Sequence, residues 1–157
     1  MLYSKFFIGD DRYVIAINQI TAITPYVYLK SIPSLPGYAA GLLNYRGLSI
    51  PVIDLCQLLI ARSCVRMLST RIIITTIKSN KGNGDITVGF LVENATETLS
   101  VDDDEFIEPG MSNPELPFIG LVVNDEEGVV TKISPQDIFG KLDEKLFFSE
   151  NLSAKSH

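Results

Sequence analysis

The sequence predicts a mainly β protein built from small barrels, with short helices between some of the strands. Three observations predict it. Runs rich in Ile, Val, Tyr, Phe and Thr are five to eight residues long and are cut by Gly, Pro, Asp and Asn clusters. Strands follow one another too closely for crossover helices, which excludes a parallel sheet of βαβ units. One pattern of strand, glycine turn, strand, cap and short helix occurs twice. The chain has 157 residues, enough for one ordinary domain or two small ones sharing a core.

The elements follow in order. Leu2 to Ile8 and Tyr13 to Ile17 are β-prone runs, split by Gly9-Asp10-Asp11-Arg12. Gly and Asp there supply the backbone angles of a tight hairpin. Ile20, Ile23 and Val27 lie in a further run, interrupted by Pro25. Two prolines and a glycine between Ile32 and Tyr38 forbid regular structure and predict an ordered loop. Gly41 to Tyr45 and Leu48 to Ile53 form a strand pair around Arg46-Gly47. Asp54 caps a helix over Leu55 to Leu59, because a carboxylate accepts the free N–H groups of a first turn. Ala61 to Thr70 reads as a linker. Arg71 to Lys78 and Ile86 to Val92 are strands joined by the polar loop Ser79 to Asp85, and Ala95 to Val101 extends the sheet. Asp102 to Glu105 is a charge run, read as a solvated face. Glu108 to Pro117 is loop. Phe118 to Val123 and Gly128 to Ile133 form a last hairpin, and Ser134-Pro135 starts a helix with a cap and a proline at the first helical position.

The internal echo sets Gly41-Leu42-Leu43, Gly47 to Asp54 and Leu58-Leu59 beside Gly120-Leu121-Val122, Gly128 to Ser134 and Ile138-Phe139. The spacings differ by one residue on each side of the turn. Two related barrels account for it; a chance likeness between hairpins is the other account. Barrels packed side by side leave a groove and exposed edges where peptides and partner domains bind.

Composition narrows the function. Hydrophobic residues make up 46% and charged residues 20%, a globular balance. No apolar run reaches the ~18 residues of a membrane span, and the N-terminus lacks the pattern of a signal peptide. The net charge of −6 argues against nonspecific nucleic-acid binding, which needs a basic face. The charge is uneven: residues 1–70 hold six Lys or Arg against three Asp or Glu, and the remainder seven against sixteen. Cys56 and Cys64 form no metal-type Cys-x-x-Cys pair and read as free thiols of an intracellular chain. A disulfide between them would close only a very short loop.

The usual actors of catalysis are missing from the sequence. His157, the single histidine, is the last residue, which removes any Ser-His or Cys-His relay. No glycine-rich phosphate loop is present. Cys56 falls in a short apolar helix, where a thiol is buried and inert. Nothing beside Asp102 to Glu105 would tune a carboxylate pair apart. These features predict no enzyme, no cofactor and no metal. Asn44-Tyr45-Arg46-Gly47 at a hairpin tip is the remaining surface signal. Arg46 can fork onto a carboxylate or backbone carbonyls of a partner; equally, Asn44 and Gly47 can make the turn with Arg46 solvated.

Ile32-Pro33, Leu35-Pro36-Gly37-Tyr38, Gly41 to Gly47 and Ile50-Pro51-Val52-Ile53-Asp54-Leu55 together resemble the signature of CheW-like domains, the coupling proteins of bacterial chemosensory arrays. The likeness covers most of residues 3–140, and Asn-x-Arg-Gly with its flanks is its specific part. The resemblance implies two SH3-like five-stranded β-barrel subdomains around a shared core: a single domain over 1–140, with subdomains at about 10–65 and about 70–140 and termini crossing between them. The tail, 141–157, would add a short helix and then fray. It implies a non-catalytic cytoplasmic adaptor that couples the cytoplasmic tip of a methyl-accepting chemoreceptor to the regulatory domain of a CheA-type histidine kinase, without nucleic acid and without inserting into the membrane. A coupling protein of a type IV pilus or other non-flagellar pathway, or a degenerate paralogue, is the alternative. By position, Asn44, Tyr45, Arg46 and Gly47 fall on the family motif, and Ile20 and Ile23 on a partner-binding edge; apolar edge residues could also serve weak self-association. Three features depart from the family pattern, one of them Asp125-Glu126-Glu127 in the last strand pair. Ala22 stands where a Val-x-Glu-Ile run would carry Glu, and Tyr45 replaces a common aliphatic.

Overall fold

A computed structural model describes residues 1–78, 84–110 and 119–142. Nine strands run in chain order: β1 (Leu2–Ile8), β2 (Asp11–Ala16), β3 (Ala22–Pro25), β4 (Ala39–Tyr45), β5 (Leu48–Asp54), β6 (Arg71–Lys78), β7 (Asp85–Ser100), β8 (Ile119–Asp125) and β9 (Gly128–Ile133). Helix α1 (Leu55–Ile60) follows β5, and α2 (Pro135–Lys141) follows β9.

The strands form two five-stranded sets that share β7. Its first half pairs with β6 and, in parallel, with β5; β3 lies beyond β6 and β4 beyond β5. Its second half pairs with β1, which pairs with β2; β2 runs parallel to β9, and β8 closes the order. The sets repeat one plan. In each, an antiparallel hairpin is followed by a short helix, and the hairpin's second strand lies parallel to a strand of another hairpin. Each set is drawn together by one isolated bridge, Lys30 to Leu42 in the first and Ile107 to Val122 in the second. Register makes the echo tighter than sequence spacing implies: Leu42, Tyr45, Leu48 and Asp54 stand where Val122, Asp125, Gly128 and Ser134 stand in the second set. The glycines alone move, each by one position: Gly120 falls opposite Ala40 rather than Gly41, and Gly128 opposite Leu48 rather than Gly47. The fold is thus mainly β, with two SH3-like halves.

The N-terminal hairpin is the wall between them. Its turn is the two residues Gly9-Asp10, with Asp11 and Arg12 already in β2, because Gly9 at φ +63° reverses the chain at once. Tyr13 and Ile15 face the larger core with Phe6, Ile72 and Phe90, whereas Val14 and Ala16 face a second core with Tyr3, Phe106 and Val130. β2 is therefore buried on both faces, each large apolar side chain contributing about 1.5–3 kcal/mol. Arg12, only 6% exposed, is neutralised by Asp125, whose Oδ2 accepts from Nη1 at 2.5 Å and Oδ1 from Nη2 at 2.7 Å. This forked pair ties the N-terminal hairpin to the β8–β9 turn.

The strand expected over Ile86 to Val92 and its extension over Ala95 to Val101 are one continuous β7. Asn94, at φ +47°, bends it where it passes from one set to the other. Asp102 to Glu105 is exposed and forms one 3-10 turn, closed by a capping box. The ring of Tyr3 reaches this turn, its hydroxyl donating to Asp103 at 2.5 Å. Burial and that carboxylate push the Tyr3 phenol up to about 12. Most of the polar loop at 79–83, the segment 111–118 and the tail from 143, with His157, lie outside the described residues.

Candidate partner-binding surfaces

The Asn44-to-Gly47 tip is a two-residue turn between paired Tyr45 and Leu48. Arg46 takes φ +49° and Gly47 φ +82°. Positive φ at both central positions belongs to the type I′ turn, whose twist matches that of paired strands. Glycine adopts this freely; arginine does so at a cost of roughly 1 kcal/mol. Asn44, Arg46 and Gly47 are exposed and Tyr45 is half-buried. The Arg46 guanidinium lies 5.2 Å from the centre of the Tyr45 ring, which holds the cation over an aromatic face while its N–H donors stay open to solvent. An aliphatic at position 45 could not supply this contact.

Ile20 and Ile23 lie elsewhere. Ile20 is half-buried and packs against the larger core. Ile23 is 40% exposed on β3, which pairs with β6 along one side only. Across the sheet Ile23 aligns with Ile73, Phe90, Ile53 and Ala39 in turn. Arg46 is therefore about 20 Å further along the strand direction, at six to seven residues of ~3.3 Å each. The structure brings Asn44, Tyr45, Arg46 and Gly47 together as one surface and separates them from Ile23. Ala22 is half-buried opposite Ile74.

A second surface surrounds the end of β3, and the sequence reading missed most of it. Pro25, Tyr26, Arg66, Met67 and Leu68 line an open hollow of about 440 Å³. Leu68 is 97% exposed and Met67 61%. Arg66 lies over the Tyr26 ring at 4.9 Å. Exposed apolar side chains grouped in this way make this a candidate docking surface. The signal was present in Val65, Met67 and Leu68, apolar residues within a segment read as linker. That segment has no regular structure, yet it is built: Thr70 Oγ1 accepts from Met67 N at 3.0 Å and donates to Val65 O. Val65 N donates to Glu93 Oε2 at 2.6 Å, and the Arg71 guanidinium donates to Leu68 O. These bonds hold the apolar side chains outward.

No helix among the described residues is long and apolar enough to cross a membrane.

The CheW-like domain family matches residues 3–143 of the chain. The chemotaxis protein CheW of Bacillus subtilis (strain 168) is 30% identical over 100 residues, which are 64% of this chain and 60% of that protein. The chemotaxis protein CheW of Rhizobium meliloti (strain 1021) is 27% identical over 104 residues, 66% of this chain and 63% of its own length. The chain thus spans about three-fifths of the length of these curated relatives. Among solved structures, the scaffolding protein TtCheW from Thermoanaerobacter tengcongensis superposes with a TM-score of 0.76 at 22% identity, over 88% of this chain and 86% of that one. Sequence and fold agree over nearly the whole described length, and the chain belongs to the CheW-like domain family.

Proposed function

We propose that the chain is a non-catalytic adaptor that couples a chemoreceptor tip to the regulatory domain of a CheA-type histidine kinase in chemosensory signalling. Family membership supports the pathway. The observation that carries the adaptor reading is the separation of two surfaces of different chemistry: a cationic turn at Arg46 and an apolar hollow at Tyr26, Met67 and Leu68. One small protein can then hold two partners at once, and each surface suits a different kind of contact. An arginine with open donors forks onto carboxylates or carbonyls. An apolar hollow takes the aliphatic or aromatic anchors that carry most of the energy of an interface.

Binding would be measured with purified kinase regulatory domain and receptor cytoplasmic fragment from the same organism. Arg46→Glu and the pair Met67→Asp, Leu68→Asp are the variants. Each variant weakens one partner about tenfold or more and leaves the other within about twofold, since 1.4 kcal/mol is a factor of ten. An unaltered protein that binds neither partner, or variants that lose both together while still folded, would remove the two-surface adaptor.

A further inference from the structure

We propose that Cys56 and Cys64 are a redox-modification site, two thiols placed to join as an intramolecular disulfide when a hydroperoxide reaches them. Both are free and buried, and their sulfurs are 2.8 Å apart. Non-bonded carbon atoms rest at about 3.5–4.0 Å, and sulfur is the larger atom. A pair this close lies within the usual contact distance, nearer to the ~2.05 Å of an S–S bond than separate thiols need to be.

The placement is built. Asp54 caps α1 by accepting from Gln57 N with Oδ1 at 3.1 Å, which sets Cys56 in the first turn. Its other oxygen, Oδ2, accepts from Cys64 N at 3.1 Å, which pulls the far cysteine back onto the helix. Asp54 is thus the positioning residue for both sulfurs. The three side chains could also be grouped as ligands for a cation. However, both carboxylate oxygens already accept a backbone N–H, and a metal needs deprotonated thiols. Without a cation, the hydrogen bond with Cys56, burial and the Asp54 carboxylate all push the Cys64 pKa up. The Cys64 sulfur also lies 3.4 Å from Leu91 O, where the thiol can donate.

The step is balanced by the peroxide. One sulfur attacks a peroxide oxygen, giving a sulfenic acid and releasing the other oxygen as an alcohol, or as water where the oxidant is hydrogen peroxide. The second sulfur then displaces the hydroxyl as water, forming the S–S bond with loss of both thiol protons. The burial of both thiols makes the reaction slow, so the modification answers sustained exposure. A dithiol reductant returns both thiols.

The test treats the purified full-length protein with hydrogen peroxide for hours and reads intact mass. The expected product is a monomer lighter by two hydrogens and restored by dithiothreitol. Arg62 lies between the cysteines, so trypsin separates them, and peptides 47–62 and 63–66 stay linked until reduced. The oxidised protein melts about 5 °C higher, and Cys64→Ser shows no such rise. Oxygen adducts without a linked peptide pair, a disulfide dimer, an unchanged thiol titre, or a retained zinc ion in native mass spectra taken with zinc would each overturn the proposal.

Discussion

Arg46 sits in a backbone conformation that disfavours it, and at this exposed site its contact with the Tyr45 ring repays only part of that cost. Strain of this kind is retained where a side chain is needed at one place. Arg46→Asn keeps the type I′ turn with a residue that accepts positive φ, so it should stabilise the isolated protein by about 1 kcal/mol. That is a rise of roughly 2–4 °C in Tm. The same variant should weaken the partner that the turn serves. A fall in Tm would show that Arg46 supports the fold itself. Asp125 gives a second prediction at this scale. Its hydrogen bonds from Arg12 lower its carboxyl to about 2, against desolvation that opposes them. The unfolded carboxyl titrates near 3.9. The folded pKa is the lower, so the stabilisation is complete above the unfolded pKa and disappears as pH falls through the folded value. Urea unfolding of wild type and Asp125→Asn should differ by about 1–2 kcal/mol at pH 6, discounted because Asp125 is 27% exposed. The gap should close toward pH 2. A gap that does not change between pH 6 and pH 2 would place the stabilisation in packing.

Helix α1 shows what one residue does for an element. Asp54 was readable as a cap because capping depends on neighbours in sequence, and Gln57 is three residues on. Its second bond, to Cys64 N, was not readable, because it depends on where the chain returns ten residues later. Asp54→Ala should therefore cost more than a surface cap, about 2–3 kcal/mol, since it also leaves a buried Cys64 amide without its acceptor. Asp54→Asn, which keeps one acceptor for the Gln57 amide, should cost less. Equal losses by chemical denaturation would mean that the cap alone matters. The same distinction divides the other elements. The turns at Gly9 and Gly47 were legible from local chemistry, as was the hairpin-and-helix unit that occurs twice. The length of β7 was harder to read, because Glu93 and Asn94 interrupt its apolar pattern. The apolar surface at Met67 and Leu68 was hidden for a related reason. A segment without strand or helix periodicity reads as linker, whatever side-chain bonds fix it.

At the scale of the whole molecule, the two halves cannot be independent, because β7 belongs to both and the N-terminal hairpin buries a face in each core. One side chain adds to their junction. Glu93, only 8% exposed, stands at the bend of β7 and gathers two other segments, the first turn and 61–70. Its Oε1 accepts from Gly9 N in the first turn at 3.3 Å, and its Oε2 accepts from Val65 N. Arg62 donates to both oxygens, the shorter bond being 3.1 Å. Burial alone would raise the Glu93 pKa, but the bonds from Arg62, Val65 and Gly9 outweigh it and keep the group ionised. Every donor around the carboxylate is an N–H, so an amide in its place turns its own N–H toward another donor. Glu93→Gln should thus cost about 2–3 kcal/mol despite conserving shape. The loss should also be shared. Hydrogen exchange should quicken together at the Gly9 turn and at Val65, and the protein should still unfold in one transition because β7 itself is intact. Faster exchange at Val65 with an unaltered Gly9 turn would mean that Glu93 secures only the 61–70 segment, and that the halves are coupled through the shared strand and the buried hairpin alone.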